Sequence, residues 1–246
     1  MNAVAFATAC APMVDGIIAP ADIGLRQPLM TPDGPVTFWP LLRKEEGAVD
    51  YAWLGGTLRQ LHAVRDTDGM AVVHRQTNPA LKAARLRALE AAPHVPEWVL
   101  TACDRMMSDI QALRERVMPT LRRGLIHGDV YPANVARTAT RSFLVDYDTA
   151  GTGPIYWDLA PVVVAHRHFG TPSESVDLLY TAYGEDPRHD ESFWDVVRIR
   201  EWGAITYLID QAAVSETYCE ELMARLVDDR PWRTLEELQR TSAECH

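Results

Sequence analysis

One stretch in the second half of the chain constrains the fold and its chemistry most. Residues 125–134 read LIHGDVYPAN, so an Asp and an Asn lie five residues apart on one tight loop. Residues 144–148 read LVDYD, so a further Asp follows a short hydrophobic strand. The loop can direct Asp129 and Asn134 at one small volume, and Asp146 can close that volume from the opposite side. The spacing predicts a site that holds a hydroxyl, a magnesium ion and a phosphate.

The side chains of this stretch suit complementary roles. Asp129 follows a Gly and precedes a turn, which exposes its carboxylate to accept a proton from a substrate hydroxyl or to orient that hydroxyl. Asn134 offers a neutral oxygen and Asp146 a charged one, which together suit a hard cation such as Mg²⁺. Asp148 would share a side with Asp146 if the strand continued, and would then add a metal contact. Taken singly, each Asp or Asn is more typical of a turn or a helix cap.

Two further residues are predicted to support the loop. His127 precedes Gly-Asp, and we expect it to hold the loop by hydrogen bonding in preference to acting as a base. Asp158 is predicted to start a helix and to brace the loop. The other histidines, including His62, His166 and His168, show no metal-ligand spacing, so core or surface roles are expected for them.

Composition narrows the class of protein. The 246 residues are 47% apolar, enough for a sizeable core, and the longest apolar run is far too short to span a membrane. A formal net charge of −10 argues against a nucleic-acid partner and is compatible with a cationic substrate or with a solvated acidic surface. No basic leader precedes the first apolar residues, which predicts a cytoplasmic protein. The cysteines, predicted to be reduced thiols, are Cys10, Cys103, Cys219 and Cys245.

Periodicity predicts a small amount of sheet and many helices. A helix is expected over Ala3–Cys10, and a turn then leads into a strand over residues 36–39. Around the motif, strands are predicted up to His127, near Val135 and over residues 142–145, which places the chemistry on loops beside a small sheet. Further helices are predicted from Tyr51, over 80–91, from Pro96 to Val117, from Trp157, and over 173–183, 193–213, 216–226 and 234–240.

Two segments carry a pattern found in known proteins. Residues 127–134 read HGDxxxxN and residues 145–160 read VDYDxxxxGPxxWDLA, with weaker similarity extending back through residues 54–62 and 36–40. The pattern resembles the aminoglycoside phosphotransferase and choline kinase branch of the protein-kinase-like fold, and it covers most of the chain. The resemblance implies an α+β fold with a reduced N-terminal β lobe, residues 1–42, and a large, mainly helical C-terminal lobe, residues 43–246.

The same resemblance implies an activity and assigns residues to it. The activity is ATP-dependent transfer of the γ-phosphate to a hydroxyl of a small molecule, with ATP and Mg²⁺ as cofactors. By resemblance, Asp129 is the catalytic Asp, and Asn134 and Asp146 are magnesium ligands. The residues whose backbone is implied to meet the adenine edge are Trp39, Leu41 and Leu42.

The N-terminal part departs from the family pattern. A Gly-rich phosphate loop, a strand Lys and a helix Glu belong before the hinge in this fold. The only two lysines, Lys44 and Lys82, follow the hinge-like strand, and no acidic residue precedes Asp15. Three explanations stand: a truncated or misassigned start of an ordinary kinase, which we favour, a natural short form that borrows Arg26 or Arg43, or a pseudoenzyme that only binds.

The leading hypothesis is a small-molecule O-phosphotransferase whose acceptor is aminoglycoside-like or an amino alcohol. The alternative is a non-catalytic kinase-like binding protein, and a weaker one is a metal-dependent hydrolase that uses the same carboxylates. Acidic residues of the helical part would attract a cationic acceptor or simply form solvated helix faces. They are Glu174, Asp177, Glu185, Asp186, Asp190, Asp195 and Glu201. The aromatic residues there would line the acceptor pocket or, as helical spacing favours, pack in the core; they are Tyr156, Trp194, Trp202 and Tyr207.

Overall fold

The computed structural model describes residues 3–65, 79–227 and 230–244. The elements are α1 (Ala3–Cys10), β1 (Leu29–Thr31), β2 (Gly34–Val36), α2 (Tyr51–Ala63), α3 (Pro79–Glu90), α4 (Glu97–Val117), β3 (Arg123–Ile126), β4 (Val135–Arg137), β5 (Ser142–Leu144), β6 (Gly151–Pro154), α5 (Tyr156–Leu159), α6 (Pro161–His168), α7 (Ser173–Tyr183), α8 (Glu191–Ala212), α9 (Glu216–Val227) and α10 (Leu235–Glu244). The α+β class, with few short strands and a large helical part, is confirmed. None of the helices in the described residues is both long and apolar enough to cross a bilayer.

The chain divides into two compact units, each assembled from segments that are separate in sequence. The first combines Met1–His74, Leu121–Val162 and Ser173–His189, and the second combines Arg75–Thr120, Val163–Pro172 and Asp190–His246. The lobe boundary predicted between residues 42 and 43 is a different kind of division, and it stays a prediction.

In the described part of the first unit, the strands pair into small antiparallel sheets. β1 pairs with β2, β3 with β6, and β4 with β5, and Ile17 adds an isolated bridge to Leu144. Leu125 and Ile126 of β3 and Leu144 of β5 are buried, so the strands on either side of the motif are anchored in the core. The strands predicted near Val135 and from residue 142 are present as β4 and β5, and they pair with each other.

The strand predicted over residues 36–39 is wrong in its extent. β2 ends at Val36, and the chain beyond it forms hydrogen bonds with the loop that precedes β1. Phe38 donates its backbone N–H to Oε1 of Gln27 (2.6 Å), and its carbonyl oxygen accepts the N–H of Ala21 (3.0 Å). Val36 and Phe38 are both exposed, so no buried face fixes a longer pairing.

The other predicted elements occur, with small shifts at their ends. α1 and α7 match their predicted ranges, and the helix expected from Tyr51 is α2. The prediction of reduced thiols agrees with the buried, free Cys10, Cys103 and Cys219. Cys245 lies outside the described residues.

Helix α2 packs closely against α7 in the first unit. Asp50 caps its start by accepting the N–H of Trp53, and its buried side includes Leu54, Leu58 and Leu61. Gly55 allows the close approach, because a Cβ built on it would lie 2.2 Å from the carbonyl oxygen of Leu179 in α7. No heavy atom lies within 4 Å of a Cβ built on the adjacent Gly56.

The second unit is a helical bundle with one apolar core. Leu89 of α3, Val99 of α4, Leu208 of α8, Leu222 of α9 and Leu238 of α10 are all fully buried in it. At one end of the bundle a fully buried carboxylate, Glu221, meets several guanidinium groups. Its partners are Arg225 (2.9 Å), Arg230 (2.8 Å) and Arg233 (3.0 Å). Burial alone would raise the pKa of Glu221, but Arg225 and Arg233 hold it below its usual value, so the carboxylate stays ionised.

The two adjacent glycines of α2 give a matched test of the α2–α7 contact. We expect Gly55→Ala to lower the free energy of unfolding by about 1–3 kcal/mol, because the new methyl group meets the backbone of α7 and one helix must move. We expect Gly56→Ala to raise it by about 0.5–1 kcal/mol, because alanine favours the helix and meets open space. Chemical denaturation of both variants measures the difference, and equal effects would contradict the close approach.

Candidate active site

The loop that carries Asp129 leaves β3 at a tight turn. The turn lies at Gly128, whose φ is +85°. A Cβ at this position would lie 2.4 Å from the carbonyl oxygen of Thr149, so the close approach of these two backbone segments requires glycine. The turn delivers Asp129 half-buried, directly after a strand whose last residues are in the core.

A buried carboxylate from α5 holds this turn. Asp158, 1% exposed, accepts the backbone N–H of His127 on Oδ2 (2.7 Å) and that of Gly128 on Oδ1 (2.8 Å). Nε2 of His62 lies 3.3 Å from the same Oδ2. Burial alone would raise the pKa of Asp158, but the hydrogen bond and attraction of His62, together with His127, hold it below its usual value. The prediction that Asp158 braces the loop is confirmed.

His127 is fully buried and uses both ring nitrogens inside the loop. Nε2 lies 3.0 Å from the carbonyl oxygen of Val145, and Nδ1 lies 3.3 Å from the backbone nitrogen of Asp129. The ring therefore donates from Nε2 to Val145 and accepts at Nδ1 from Asp129. Burial lowers the pKa of His127, and the nearby carboxylates oppose this only in part. A neutral ring engaged in this way supports the loop, as predicted.

Asn134 connects the loop to the segment that leads to Asp146. It ends a short 3₁₀ turn, and its amide Nδ2 donates to the carbonyl oxygen (2.8 Å) and to carboxylate Oδ2 (3.2 Å) of Asp129. The backbone carbonyl oxygen of Asn134 accepts the N–H of Val145 (2.9 Å). The structure therefore brings Asn134 and Asp129 into direct contact. With Nδ2 turned to Asp129, Oδ1 is the atom of this amide that a cation would take.

Asp146 has a left-handed backbone, with φ of +70°, and is the one non-glycine residue of the described chain with positive φ. This conformation costs an L-residue on the order of 1–2 kcal/mol. The following residue, Tyr147, is buried and anchors the segment. Its hydroxyl donates to the carbonyl oxygen of Leu144 (2.6 Å) and accepts the N–H of Ile18 (2.9 Å). Because these bonds fix the turn, the exposed carboxylate of Asp146 leaves the regular alternation of the strand.

Asp148 does not lie on a continuing strand. β5 ends at Leu144, and a turn follows in which Ala150 donates its N–H to the carbonyl oxygen of Tyr147 (3.0 Å). The left-handed residue Asp146 breaks the alternation that would have placed both carboxylates on one side. Asp148 was expected to share a side with Asp146 only if the strand continued, and the strand does not continue.

The residues predicted to meet adenine lie in different surroundings. Trp39 packs on Tyr147 with ring centroids 5.6 Å apart, and so lies beside the residue that follows a predicted metal ligand. Leu41 is 92% exposed. Leu42 lines a surface cavity of about 730 Å³ formed largely by residues 11–22, which the predicted catalytic and metal-binding residues do not line. Only Trp39 of the three is therefore placed by a ring contact next to the motif.

The oxygen donors of the site fit Mg²⁺ bound together with phosphate. Within residues 3–65, 79–227 and 230–244, no group of three or more His, Cys, Asp or Glu side chains is placed to hold a metal ion. The site offers the carboxylate of Asp146 and the amide oxygen of Asn134, beside the carboxylate of Asp129. One or two hard oxygens suit Mg²⁺, which takes its other ligands from water and phosphate. The donor set therefore fits a magnesium–nucleotide complex.

The acidic residues considered for a cationic acceptor have local partners. Glu201 lies 3.0 Å from His168 and 3.1 Å from Arg167. Asp190 caps α8 by accepting the N–H of Ser192. The other contacts are Glu174 with Ser173, Asp177 and Asp186 with Arg188, Glu185 with Arg122, and Asp195 with Arg116. These contacts favour a structural use of the acidic residues.

The aromatic residues considered for the acceptor pocket differ in how far they are buried. Trp202 packs against the core of the second unit, as expected. Trp194 and Tyr207 are exposed, so the prediction of core packing is wrong for both. In α8 the buried position belongs to the preceding residue, Phe193, and neighbouring residues of a helix point about 100° apart. Tyr156 is half-buried at the start of α5.

His62 is the residue whose role sequence reasoning missed. The sequence places it on the apolar side of a helix with Leu58 and Leu61, and a core or surface role was expected for it. Its side chain is indeed only 4% exposed, but it contacts the carboxylate that holds the loop. The available indication was a polar ring within an otherwise apolar stripe, which in a packed core needs a hydrogen-bonding partner.

A family of known proteins matches most of the chain. The model of a family described as APH, phosphotransferase enzyme family, matches residues 2–201. The chain belongs to this family. The resemblance to aminoglycoside phosphotransferases and choline kinases is thereby confirmed. No curated protein matches the sequence.

Solved structures of the family share the fold at low identity. A choline/ethanolamine kinase family protein from Mesorhizobium loti matches with a TM-score of 0.61 at 17% identity, covering 98% of this chain and 81% of that one. An AMP-bound spectinomycin phosphotransferase matches with a TM-score of 0.62 at 15% identity, covering 89% and 77%. An aminoglycoside phosphotransferase from Alicyclobacillus acidocaldarius subsp. acidocaldarius DSM 446 matches with 0.54 at 17%, covering 98% and 80%.

The buried His127 predicts a pH dependence of stability. Its pKa in the folded protein lies below the ordinary value of 6.5, so below pH 6.5 the unfolded chain binds a proton that the folded chain does not. The stabilisation is complete above pH 6.5 and is lost as the pH falls, with a slope of at most about 1.4 kcal/mol per pH unit. We expect His127→Gln to flatten the profile of unfolding free energy just below pH 6.5, measured by denaturant titration. A variant with the wild-type slope would contradict this.

Proposed function

We propose that the protein is an ATP-dependent O-phosphotransferase that acts on a hydroxyl of a small molecule. The observation that carries the proposal is the arrangement of the motif. Asp129 stands on a loop fixed by Asp158, Asn134 donates to its carboxylate, and Asp146 follows on a left-handed turn held by Tyr147. Membership of the phosphotransferase family supports the same reaction class.

The motif residues have complementary roles in the proposed reaction. Asp129 orients the acceptor hydroxyl and receives its proton as the oxygen bonds to the transferred phosphorus, and ADP is released. Asn134 and Asp146 would hold the magnesium ion, and Asn134 also fixes the Asp129 carboxylate. When bound, ATP would supply the phosphoryl group, and Mg²⁺ would neutralise the negative charge that develops on the leaving oxygen of ADP. His127 holds the loop and takes no proton.

The nucleotide base is assigned to the segment that follows the β1–β2 hairpin. Trp39 supports this assignment because it packs on Tyr147, next to Asp146. The backbone of Leu41 and Leu42 would meet the adenine edge, as the resemblance implies. This part of the proposal is supported by one ring contact and by the pattern of the family.

The proposed acceptor is an aminoglycoside-like compound or an amino alcohol. Related structures include phosphotransferases with spectinomycin and with gentamicin, which supports a hydroxyl-rich acceptor. The net charge of −10 is compatible with a cationic compound. The acidic side chains of the helices are engaged with local partners. The choice of a cationic acceptor is therefore supported by the net negative charge of the protein and not by any single acidic side chain.

A non-catalytic, nucleotide-binding protein is the second candidate. Two sequence observations favour it: neither lysine precedes the hinge, and no Gly-rich loop is found in these 246 residues. Lys82 is tied to α4 by contacts with Asp104 (2.7 Å) and Ser108 (2.8 Å), so it does not replace a phosphate-binding Lys. Turnover separates the two candidates.

Turnover is tested with ATP, Mg²⁺ and a panel of aminoglycosides and amino alcohols, following ADP release. We expect acceptor-dependent ADP release, reduced by about a hundredfold or more in Asp129→Asn, because the amide cannot take the proton. Asp109→Asn, which makes the same change on the exposed side of α4, is the matched control and should keep wild-type turnover. Release that is equal in wild type and Asp129→Asn would exclude the enzyme and leave the binding protein.

The metal ligands are tested by nucleotide binding without turnover. We expect Mg²⁺ to tighten ATP binding to the wild-type protein, as measured by calorimetry with and without the ion. Asp146→Asn should remove most of this gain, since it removes the charged ligand. Trp39→Ala should weaken ATP binding equally with and without Mg²⁺, because it affects the base and not the metal. An unchanged magnesium gain in Asp146→Asn would contradict its assignment as a ligand.

A further inference from the structure

Polar side chains on α2 and α7 form a chain of hydrogen bonds that ends at the loop of Asp129. Tyr183, the last residue of α7, places its hydroxyl 2.9 Å from Nδ1 of His62. Nε2 of the same ring lies 3.3 Å from Oδ2 of Asp158. Arg122, whose charge acts on Tyr183, forms an exposed ion pair of 2.6 Å with Glu185. The chain runs from the hydroxyl of Tyr183 to a fully buried carboxylate.

The chemistry of the donors gives this chain a direction. The carboxylate of Asp158 can only accept, so Nε2 of His62 donates to it. In the neutral ring, Nδ1 then accepts the hydroxyl proton of Tyr183. Burial raises the pKa of Tyr183 to about 12, so the hydroxyl keeps its proton at neutral pH. The hydroxyl of Tyr183 and Nε2 of His62 therefore both donate in the direction of Asp158.

The two helices that carry the chain cannot slide freely. α2 and α7 approach each other so closely at Gly55 and Leu179 that no side chain fits between their backbones there. The rings of His62 and Tyr183 also meet edge to face, with centroids 5.5 Å apart and planes at 72°. Close packing and a hydrogen bond together hold the imidazole in one position.

The carboxylate at the end of the chain is shared between His62 and the loop. Its Oδ2 accepts from His62 and from the N–H of His127, and its Oδ1 accepts the N–H of Gly128. Rotation of the carboxylate would break at least one bond to the loop backbone. Removing His62 takes away one of the three contacts that restrain this rotation, and removing the hydroxyl of Tyr183 loosens the ring of His62.

We propose that His62 and Tyr183 are positioning residues: they fix the orientation of Asp158 and so hold the backbone that presents Asp129 to an acceptor hydroxyl. The inference rests on the function proposed above, since that function assigns the acceptor to Asp129. Its first part, the control of the loop backbone, is measurable without turnover.

A pair of substitutions at His62 separates hydrogen bonding from packing. Gln offers a donor and an acceptor at similar reach, whereas Leu fills a similar volume with neither. Tyr183→Phe removes one hydroxyl and keeps the ring. His168→Leu is the control, because it breaks another buried contact between a His and a carboxylate, that of His168 with Glu201 at 3.0 Å. Thermal unfolding first establishes that each variant is folded.

The first measurement is hydrogen exchange of the backbone amides of His127 and Gly128 by NMR. We expect exchange in His62→Leu to be faster by on the order of tenfold or more, because the amides lose a fixed acceptor. Tyr183→Phe should show a smaller increase, and His62→Gln should stay near wild type. His168→Leu should leave these two amides unchanged. Unchanged exchange in His62→Leu, or equal increases in Leu and Gln, would overturn the proposal.

The second measurement is the kinetics of phosphate transfer. We expect His62→Leu and Tyr183→Phe to lower kcat with little change in KM, and His62→Gln to restore most of kcat. A rise in KM alone would contradict a positioning role. If the wild-type protein transfers no phosphate, the proposed function fails while the exchange experiment still decides whether His62 and Tyr183 hold the loop.

Discussion

The candidate active site depends on one buried carboxylate. Asp158 accepts two backbone N–H groups of the loop and faces His62, so three polar groups that would otherwise be unsatisfied in the core share one acceptor. Burying a charge is unfavourable unless such bonds compensate it. The same bonds make the loop rigid, because none of the three groups can move without exposing an unpaired partner. The hydrogen bonds that satisfy these buried polar groups therefore also fix the position of the loop that carries Asp129.

The site also stores backbone strain at Asp146. Gly128 and Asp146 both have positive φ, which is readily adopted by glycine and unfavourable for Asp. Each turn is held by bonds from elsewhere, from Asp158 in the first case and from Tyr147 in the second. Strain that is maintained in this way positions side chains before a substrate arrives, which lowers the cost of organising them during a reaction.

The sequence was sufficient for the fold class and for the contact between Asp129 and Asn134, and insufficient for conformation that depends on distant contacts. The spacing of Asp129 and Asn134 on one turn implied their contact, because five residues of loop leave few alternatives. The conformation of Asp146 was not visible, since it depends on the hydroxyl of Tyr147 meeting Ile18 far away in the chain. The end of β2 was missed for the same reason: Gln27 takes the hydrogen bond that a strand partner would need. The role of His62 could not be predicted, because the sequence does not show that its ring contacts the carboxylate of Asp158.

The segmented construction of the first unit has a consequence for how the chain folds during synthesis. Residues 75–120, which belong to the second unit, emerge from the ribosome between α2 and β3. α2 therefore lacks its main partner, α7, until more than a hundred further residues have been made, although β3, which it also contacts, is made earlier. Contacts between such distant segments form slowly, because a long loop must close before they are gained. The nascent chain should accordingly be most prone to aggregate, and most dependent on chaperones, before α7 is released.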